Sequence, residues 1–254
     1  MGDRIHLGGT ARSLEDVECL KQLGLQFAEI PVTDPERFVE LKEGLQEAKK
    51  GLGFYYLCHG PREGDPNDME GLERVYLPKL MHILSIMPEL DMRLLTVHFW
   101  LDPRFVLPDL IAYKIGLLGR LIERAKEMEI MVCLENLSET ASHLSRAFRA
   151  LPLLNVTLDL GHAQLLGREN TSLGFLDRYP ERIKHVHIHD NRGGNSVSDD
   201  LHLPVGEGMI DFEGIFRRLE QIGYQRTITL ELKPKEIQEN LGDVKRLLRA
   251  IGSI

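Results

Sequence analysis

Six stretches of this sequence, following one another along the chain, end in side chains able to hold a metal ion. His59 closes Gly53–His59, His98 lies near the end of Arg93–Phe99, and Glu135 closes Glu129–Glu135. Asp159 lies near the end of Asn155–Leu160 with His162 just beyond, His187 lies in Ile183–His189, and Glu231 lies in Thr227–Leu232. A carboxylate set in an apolar run is costly unless it is paired or bound to a cation, and six such ends in series are hard to explain as separate accidents. Imidazole mixed with carboxylate, without thiolate, suits zinc, manganese, iron, cobalt or magnesium rather than a sulfur-rich structural zinc. In the seventh run His185, His187 and His189 alternate, so they share one strand face, the inward one. Farther on, Asp200 and His202 sit two apart in a long loop rich in glycine and aspartate. Loops of that length in a compact domain are more often functional than idle, and these two either join the metal set or close over substrate.

The six runs need a frame that brings their ends together. With Arg4–Gly8 and Leu25–Ile30 they make eight strand-like runs. Helical patterns separate them at Leu14–Leu23, Pro35–Lys50, Asp68–Ile86, Asp109–Met128, Glu139–Leu151, Ser172–Arg178, Phe212–Ile222 and Lys235–Ile251. Local signals mark several boundaries: Ser13 followed by Asp16 resembles a capping box, Gly24 closes the first helix, and Pro35 after Asp34 reads as the first helical residue after an N-cap. Eightfold strand–helix alternation predicts parallel strands with crossover helices, closed into a (β/α)8 TIM barrel of one domain spanning 1–254. An open doubly wound sheet fits less well, because Gly8-Gly9-Thr10 lacks the third glycine of a dinucleotide loop. In a barrel, chemistry is expected at the carboxyl ends of the strands, which is where the metal-binding types fall.

The 254 residues suit one such barrel, and a composition of 43% hydrophobic and 28% charged residues is that of an ordinary globular domain. A formal net charge of −8 argues against a broad polyanion-binding surface. Cys19, Cys58 and Cys133 form no CxxC pair and no disulfide framework. Cys58 is expected to face the helices, and Cys133 to share the inward face with Glu135 as core. No apolar run is long enough for a membrane span and the N-terminus lacks a signal-peptide core, so the cytoplasm is the expected compartment. His6, His82 and His143 read as structural. Trp100 is either a wall of the substrate site or a loop anchor.

Taken in order, Glu135-Asn136-Leu137, Asp159-Leu160-Gly161-His162, His187-Ile188-His189-Asp190-Asn191, the stretch Asp200–Gly208 and Leu230-Glu231-Leu232 resemble the xylose isomerase-like TIM-barrel superfamily. That superfamily includes sugar isomerases and epimerases as well as endonuclease IV. The resemblance implies one divalent ion, zinc or manganese, held by residues matching Glu135, Asp159, His187 and Glu231, with His162 contacting substrate. It also implies Glu135 and Glu231 as catalytic groups that exchange protons with neighbouring carbons through a metal-stabilised enediolate. Endonuclease IV, similar at these positions, also uses those matching His59, His98, His162, Asp200 and His202 as a three-zinc phosphodiesterase, so the resemblance allows one to three ions.

Against nucleic acid stands the loop Gly60–Asp68, which lacks the tyrosine and leucine that endonuclease IV inserts into DNA and is net negative. Arg62, Arg192 and Lys233 are candidates to hold a substrate phosphate; Lys184 reads as an ordinary surface charge. The expectation is an isomerase or epimerase of a sugar or sugar phosphate. The alternative is an endonuclease IV-like hydrolase of abasic DNA or of a small phosphoester. A barrel that only binds is disfavoured by the intact ligand set. The partner is a small molecule rather than a membrane, and a homo-oligomer is compatible with the sequence.

Overall fold

The computed structural model describes residues 5–49, 53–250 and 252. Arg4 of the first expected strand, Lys50 of the second expected helix and Ile251 of the last lie outside them. Eight strands pair in the order β1 to β8 and close on themselves, each parallel to its neighbours. They are β1 (His6–Thr10), β2 (Phe27–Pro31), β3 (Tyr55–His59), β4 (Leu94–Val97), β5 (Met131–Glu135), β6 (Asn155–Asp159), β7 (Ile183–Ile188) and β8 (Thr227–Leu230). The expected (β/α)8 TIM barrel is the observed fold. The helices are α1 (Leu14–Gln22), α2 (Pro35–Ala48), α3 (Met69–Gly71), α4 (Leu77–Ile86), α5 (Pro108–Glu127), α6 (Ser145–Ala150), α7 (Ser172–Arg178), α8 (Phe212–Gln221) and α9 (Pro234–Ala250). None of the described helices is long and apolar enough to cross a membrane.

The boundary signals act as expected at α1 and α2. Ser13 and Asp16 form a reciprocal capping box, and the Asp34 side chain accepts the Glu36 N–H ahead of Pro35. Several bounds shift by a residue or two, and three departures have a clear physical reason. Strand β1 runs two residues beyond the expected end, through Gly9 and Thr10, glycines being poor strand signals. The expected helix Asp68–Ile86 is broken by a π-turn over Leu72–Tyr76, just before Pro78, which has no N–H to donate. Helix α6 begins six residues late, because the Glu139 carboxylate accepts backbone N–H groups of Leu101, Leu137 and Ser138 and so staples two loops instead of opening a helix.

Strand alternation stacks the barrel interior in layers. At the amino-terminal end Phe27, Leu57, Leu94 and Cys133 form a small apolar cluster, which places Cys133 in the core as expected. Beyond it the interior turns polar: Glu29, Thr96, Thr157, His185 and Thr229 are all buried. The carboxyl-terminal parts of β3, β5, β6 and β7 carry His59, Glu135, Asp159 and His187. The outward side chains, Cys58 among them, join the large apolar core between strands and helices. Burial of that shell, at about 25 cal/mol per Å² of apolar surface, holds the ring of polar ends in place.

Candidate functional site

Glu135, at the end of β5, is the hub. Its Oε2 lies 3.0 Å from His59 Nε2 and 2.8 Å from His98 Nε2, and its Oε1 lies 3.2 Å from His162 Nδ1. His187 Nδ1 faces three carboxylates at once: Glu231 at 3.3 Å, Glu135 at 3.4 Å and Asp159 at 3.7 Å. A second cluster is centred on Asp200, whose Oδ2 lies 3.3 Å from His162 Nε2 and 3.2 Å from His202 Nε2. All nine residues expected as metal ligands therefore meet at one end of the barrel. Glu135, Asp159, His187 and Glu231 offer ligand atoms within 4.8 Å of one another, as do His162, His189, Asp200 and His202.

The donor set fits divalent cations. Asp159 Oδ2, His187 Nδ1, both ring nitrogens of His189 and Asp200 Oδ1 are buried without a hydrogen-bond partner, a cost the fold bears only where something else satisfies them. Electrostatics agree. Burial pushes Glu135 up, but the charges of His98 and His187 outweigh it and hold the carboxyl well below its usual range. At Asp159 burial likewise pushes the carboxyl up, and the charges of His162 and His189 outweigh it and hold it below its usual range. His59 rises to about 9 because its bond to Glu135 overcomes burial, and His202 also rises to about 9 through Asp200. Without a cation, protons on imidazole balance the carboxylates; a divalent ion would replace them.

Two features lie beyond the sequence reading. Glu29 in β2 is 1% exposed, and its Oε2 sits 2.9 Å from His187 Nε2 and 3.2 Å from His185 Nε2. This carboxylate occupies the Nε2 side of His187 and leaves Nδ1 toward the ring centre, the arrangement by which outer carboxylates orient ligating histidines. Its signal, an acid between apolar residues late in a strand, was the same one that singled out Glu135. The other feature is His189, whose inward parity was evident but whose place beside Asp200 depends on Gly161. A Cβ there would fall 2.0 Å from the His189 ring.

The loop carrying Asp200 and His202 is fastened at its base. Asp190 pairs with Leu203 as a short antiparallel bridge. Its carboxylate accepts N–H groups of Gly206, Gly208 and Ile210. Gly208 is required by this approach, since a Cβ would lie 2.2 Å from Asp190 Oδ1. His202 holds a left-handed φ of 46°, a sparsely populated conformation for a non-glycine residue. Its Nδ1 lies 3.1 Å from the Glu231 carbonyl.

A cavity of about 410 Å³ opens from the ring, and Glu135, Glu231, His59, His98, His162 and His202 contribute to its wall. Arg62 lines it; among the described residues Trp100, Arg192 and Lys233 do not. Trp100 is a loop anchor: its indole N–H donates to the Ser138 hydroxyl at 2.7 Å and its backbone N–H to Glu63 at 2.8 Å. Arg192 is exposed, and the Lys233 side chain is 79% exposed with Glu236 3.7 Å away. His143 lies 3.6 Å from Asp102 and His6 shares a 2.8 Å hydrogen bond with Tyr55, outside the ring.

The sequence matches the xylose isomerase-like TIM barrel family over residues 17–251. The chain belongs to that family. Among curated relatives, an uncharacterized protein of Methanocaldococcus jannaschii is 30% identical over 157 residues, 57% of this chain and 52% of that one. The inosose dehydratase of Lacticaseibacillus casei is 27% identical over 142 residues, 48% of this chain and 47% of its own. This chain thus spans about half the length of those relatives. Among solved structures, a D-tagatose 3-epimerase-like protein superposes with a TM-score of 0.80 at 23% identity, covering 97% of this chain and 98% of its own. The IolI protein, described with a bound zinc atom, gives 0.82 at 14% identity, covering 98% and 100%. At these identities the structural likeness establishes the fold.

Proposed function

We propose that this family member is a divalent-metal-dependent isomerase or epimerase of a small sugar or sugar phosphate. The observation that carries the reading is a small cavity with two glutamates, Glu135 from β5 and Glu231 from the end of β8, in the same wall. Its volume, near the lower end of the roughly 300–1,000 Å³ usual for small-molecule sites, suits one sugar rather than a duplex. The names of the relatives, an inosose dehydratase and a D-tagatose 3-epimerase-like protein, point to the same substrate class.

Glu135, Asp159, His187 and Glu231 would hold an ion, with His59, His98, His162, Asp200 and His202 available for more. Bound there, zinc or manganese would supply positive charge to a substrate carbonyl and its neighbouring hydroxyl, acidifying the C–H between them. Glu231 takes that proton on a carboxylate oxygen and Glu135 serves the opposite face or the neighbouring carbon. His162, in the cavity wall, orients a substrate hydroxyl. Glu231→Gln in metal-replete protein is expected to abolish solvent-deuterium wash-in to a substrate that the wild type turns over. Retained exchange removes Glu231 from this role.

The second cluster around Asp200 supports a second reading, a phosphoester hydrolase. The loop after β3 weighs against a DNA substrate: Glu63 is tied to buried Lys114 at 2.8 Å, and Asn67 to the Phe105 carbonyl and Leu107 N–H. Nicking of an abasic-site duplex by the zinc-loaded protein, above a mock preparation, would favour the hydrolase.

A further inference from the structure

We propose that Arg12, Arg37 and Arg62 form a subsite for a phosphate monoester group at the outer part of the cavity, so that the substrate is a phosphorylated small molecule. The inference rests on the isomerase reading only for what the rest of that molecule is. Three separate segments supply the arginines: the loop after β1, the first turn of α2 and the loop after β3. All three line the one cavity that also holds Glu135 and Glu231.

Charge makes this arrangement informative. The chain carries a formal net charge of −8, yet three exposed arginines line one cavity, and among the described residues none of them has a carboxylate or hydrogen-bonding partner for its side chain. Some surface arginines pair with acids, as Arg120 does with Glu73 and Arg93 with Glu129; what sets these three apart is the cavity they share. Of the acids lining the cavity, Glu29, Glu135 and Glu231 face histidines, and the Asp34 carboxylate is engaged in capping, accepting the Glu36 N–H at 3.0 Å. Arginines that no acid pairs leave their charge free for an anion entering the cavity. Ile30, Val32, Phe38 and Leu41 supply the apolar remainder of the wall.

The number of arginines selects the anion. A carboxylate is satisfied by one bidentate guanidinium, whereas a phosphate monoester brings more oxygens and nearly two charges, enough for several. The polyol end of such a molecule would lie toward the glutamates and its phosphate toward the arginines. Arg62 was legible in the sequence as a phosphate candidate; Arg12 and Arg37 were not, because it is the pairing of β1, β2 and β3 that sets the segments after them side by side.

The test uses metal-replete protein and inorganic phosphate as the probe, titrated calorimetrically with acetate as competitor. One saturable site per chain is expected. Arg12→Ala, Arg37→Ala and Arg62→Ala should each weaken it about tenfold with bound metal unchanged, and acetate should compete far less well than phosphate. Absence of saturable binding, affinity unchanged in all three variants (phosphate then sits on the metals), or acetate competing equally would each overturn the proposal. Deuterium exchange separates the two readings. Exchange into unphosphorylated sugars that is indifferent to the arginine variants sinks the subsite and keeps the isomerase. Arginine-dependent phosphate binding without exchange into any sugar phosphate keeps the subsite and sinks the isomerase.

Discussion

Glu29→Gln isolates one charge beneath the ring while keeping shape. In the wild type the Glu29 carboxylate lies 2.9 Å from His187 Nε2, which at an effective dielectric of about 20 corresponds to roughly 6 kcal/mol of Coulomb energy with a protonated imidazole. Most of that is offset by burying both groups. What remains for a metal-bound, neutral His187 is orientation and basicity of the ring, and losses of this kind run to about 10–100-fold in metal affinity, or about 1.4–2.7 kcal/mol. The amide can still fill the space between His185, His187 and Thr96, so folding should survive. Competition against a chelator of known affinity measures the loss for zinc and manganese, and urea denaturation of the metal-free variant measures stability separately. Metal affinity within twofold of wild type, with or without a stability change, would mean that Glu29 is a core ion pair with no hold on His187.

Metal binding should also release protons. His59 and His202 sit at about 9 in the metal-free protein, above the ordinary histidine value, so both are protonated at pH 7.5 and must become neutral to ligate. Their contribution to the metal-free fold is complete below about pH 6.5 and is lost as pH rises through 9, while metal affinity climbs over the same range. Calorimetry in buffers of different ionisation enthalpy is expected to give about one to two protons released per chain, and zero would refute this account. Lys114→Met strands Glu63 without its partner in a buried loop base, and a cost of about 3–5 kcal/mol is expected by chemical denaturation. Adding Glu63→Gln should recover part of it. Because Lys114 donates to the Trp100 carbonyl at 2.7 Å, emission of this sole tryptophan should report the change, and an unaltered denaturation midpoint would contradict it.

Much of the ring was legible because strand parity is a strict code: once the end of a strand is known, inward and outward positions follow. Hence His59, Glu135, Asp159 and His187 could be placed together from sequence alone. Less could be read where the decisive partner is distant. Glu139 resembles a helix start until its carboxylate is seen to accept N–H groups of Leu101, Leu137 and Ser138. Glu29 carries the same signal as Glu135, but the histidines that justify its burial lie on β7, remote in sequence. Trp100, Arg192 and Lys233 follow strand ends, but loop direction, which local spacing does not encode, turns them away from the cavity.

The Asp190 clasp has a bearing on ion choice. A long segment bearing two ligands would ordinarily adapt, wrapping small ions tightly and large ones loosely. Here the base of the segment is pinned by the same side chain at three alternate amides and by a backbone bridge. A ring that cannot breathe discriminates by radius: ions requiring long bonds and high coordination numbers, such as calcium, would be strained in it, whereas compact ions content with imidazole and carboxylate would not. Selectivity in this protein would then be written less in the ligands themselves than in the backbone knot that keeps them from moving.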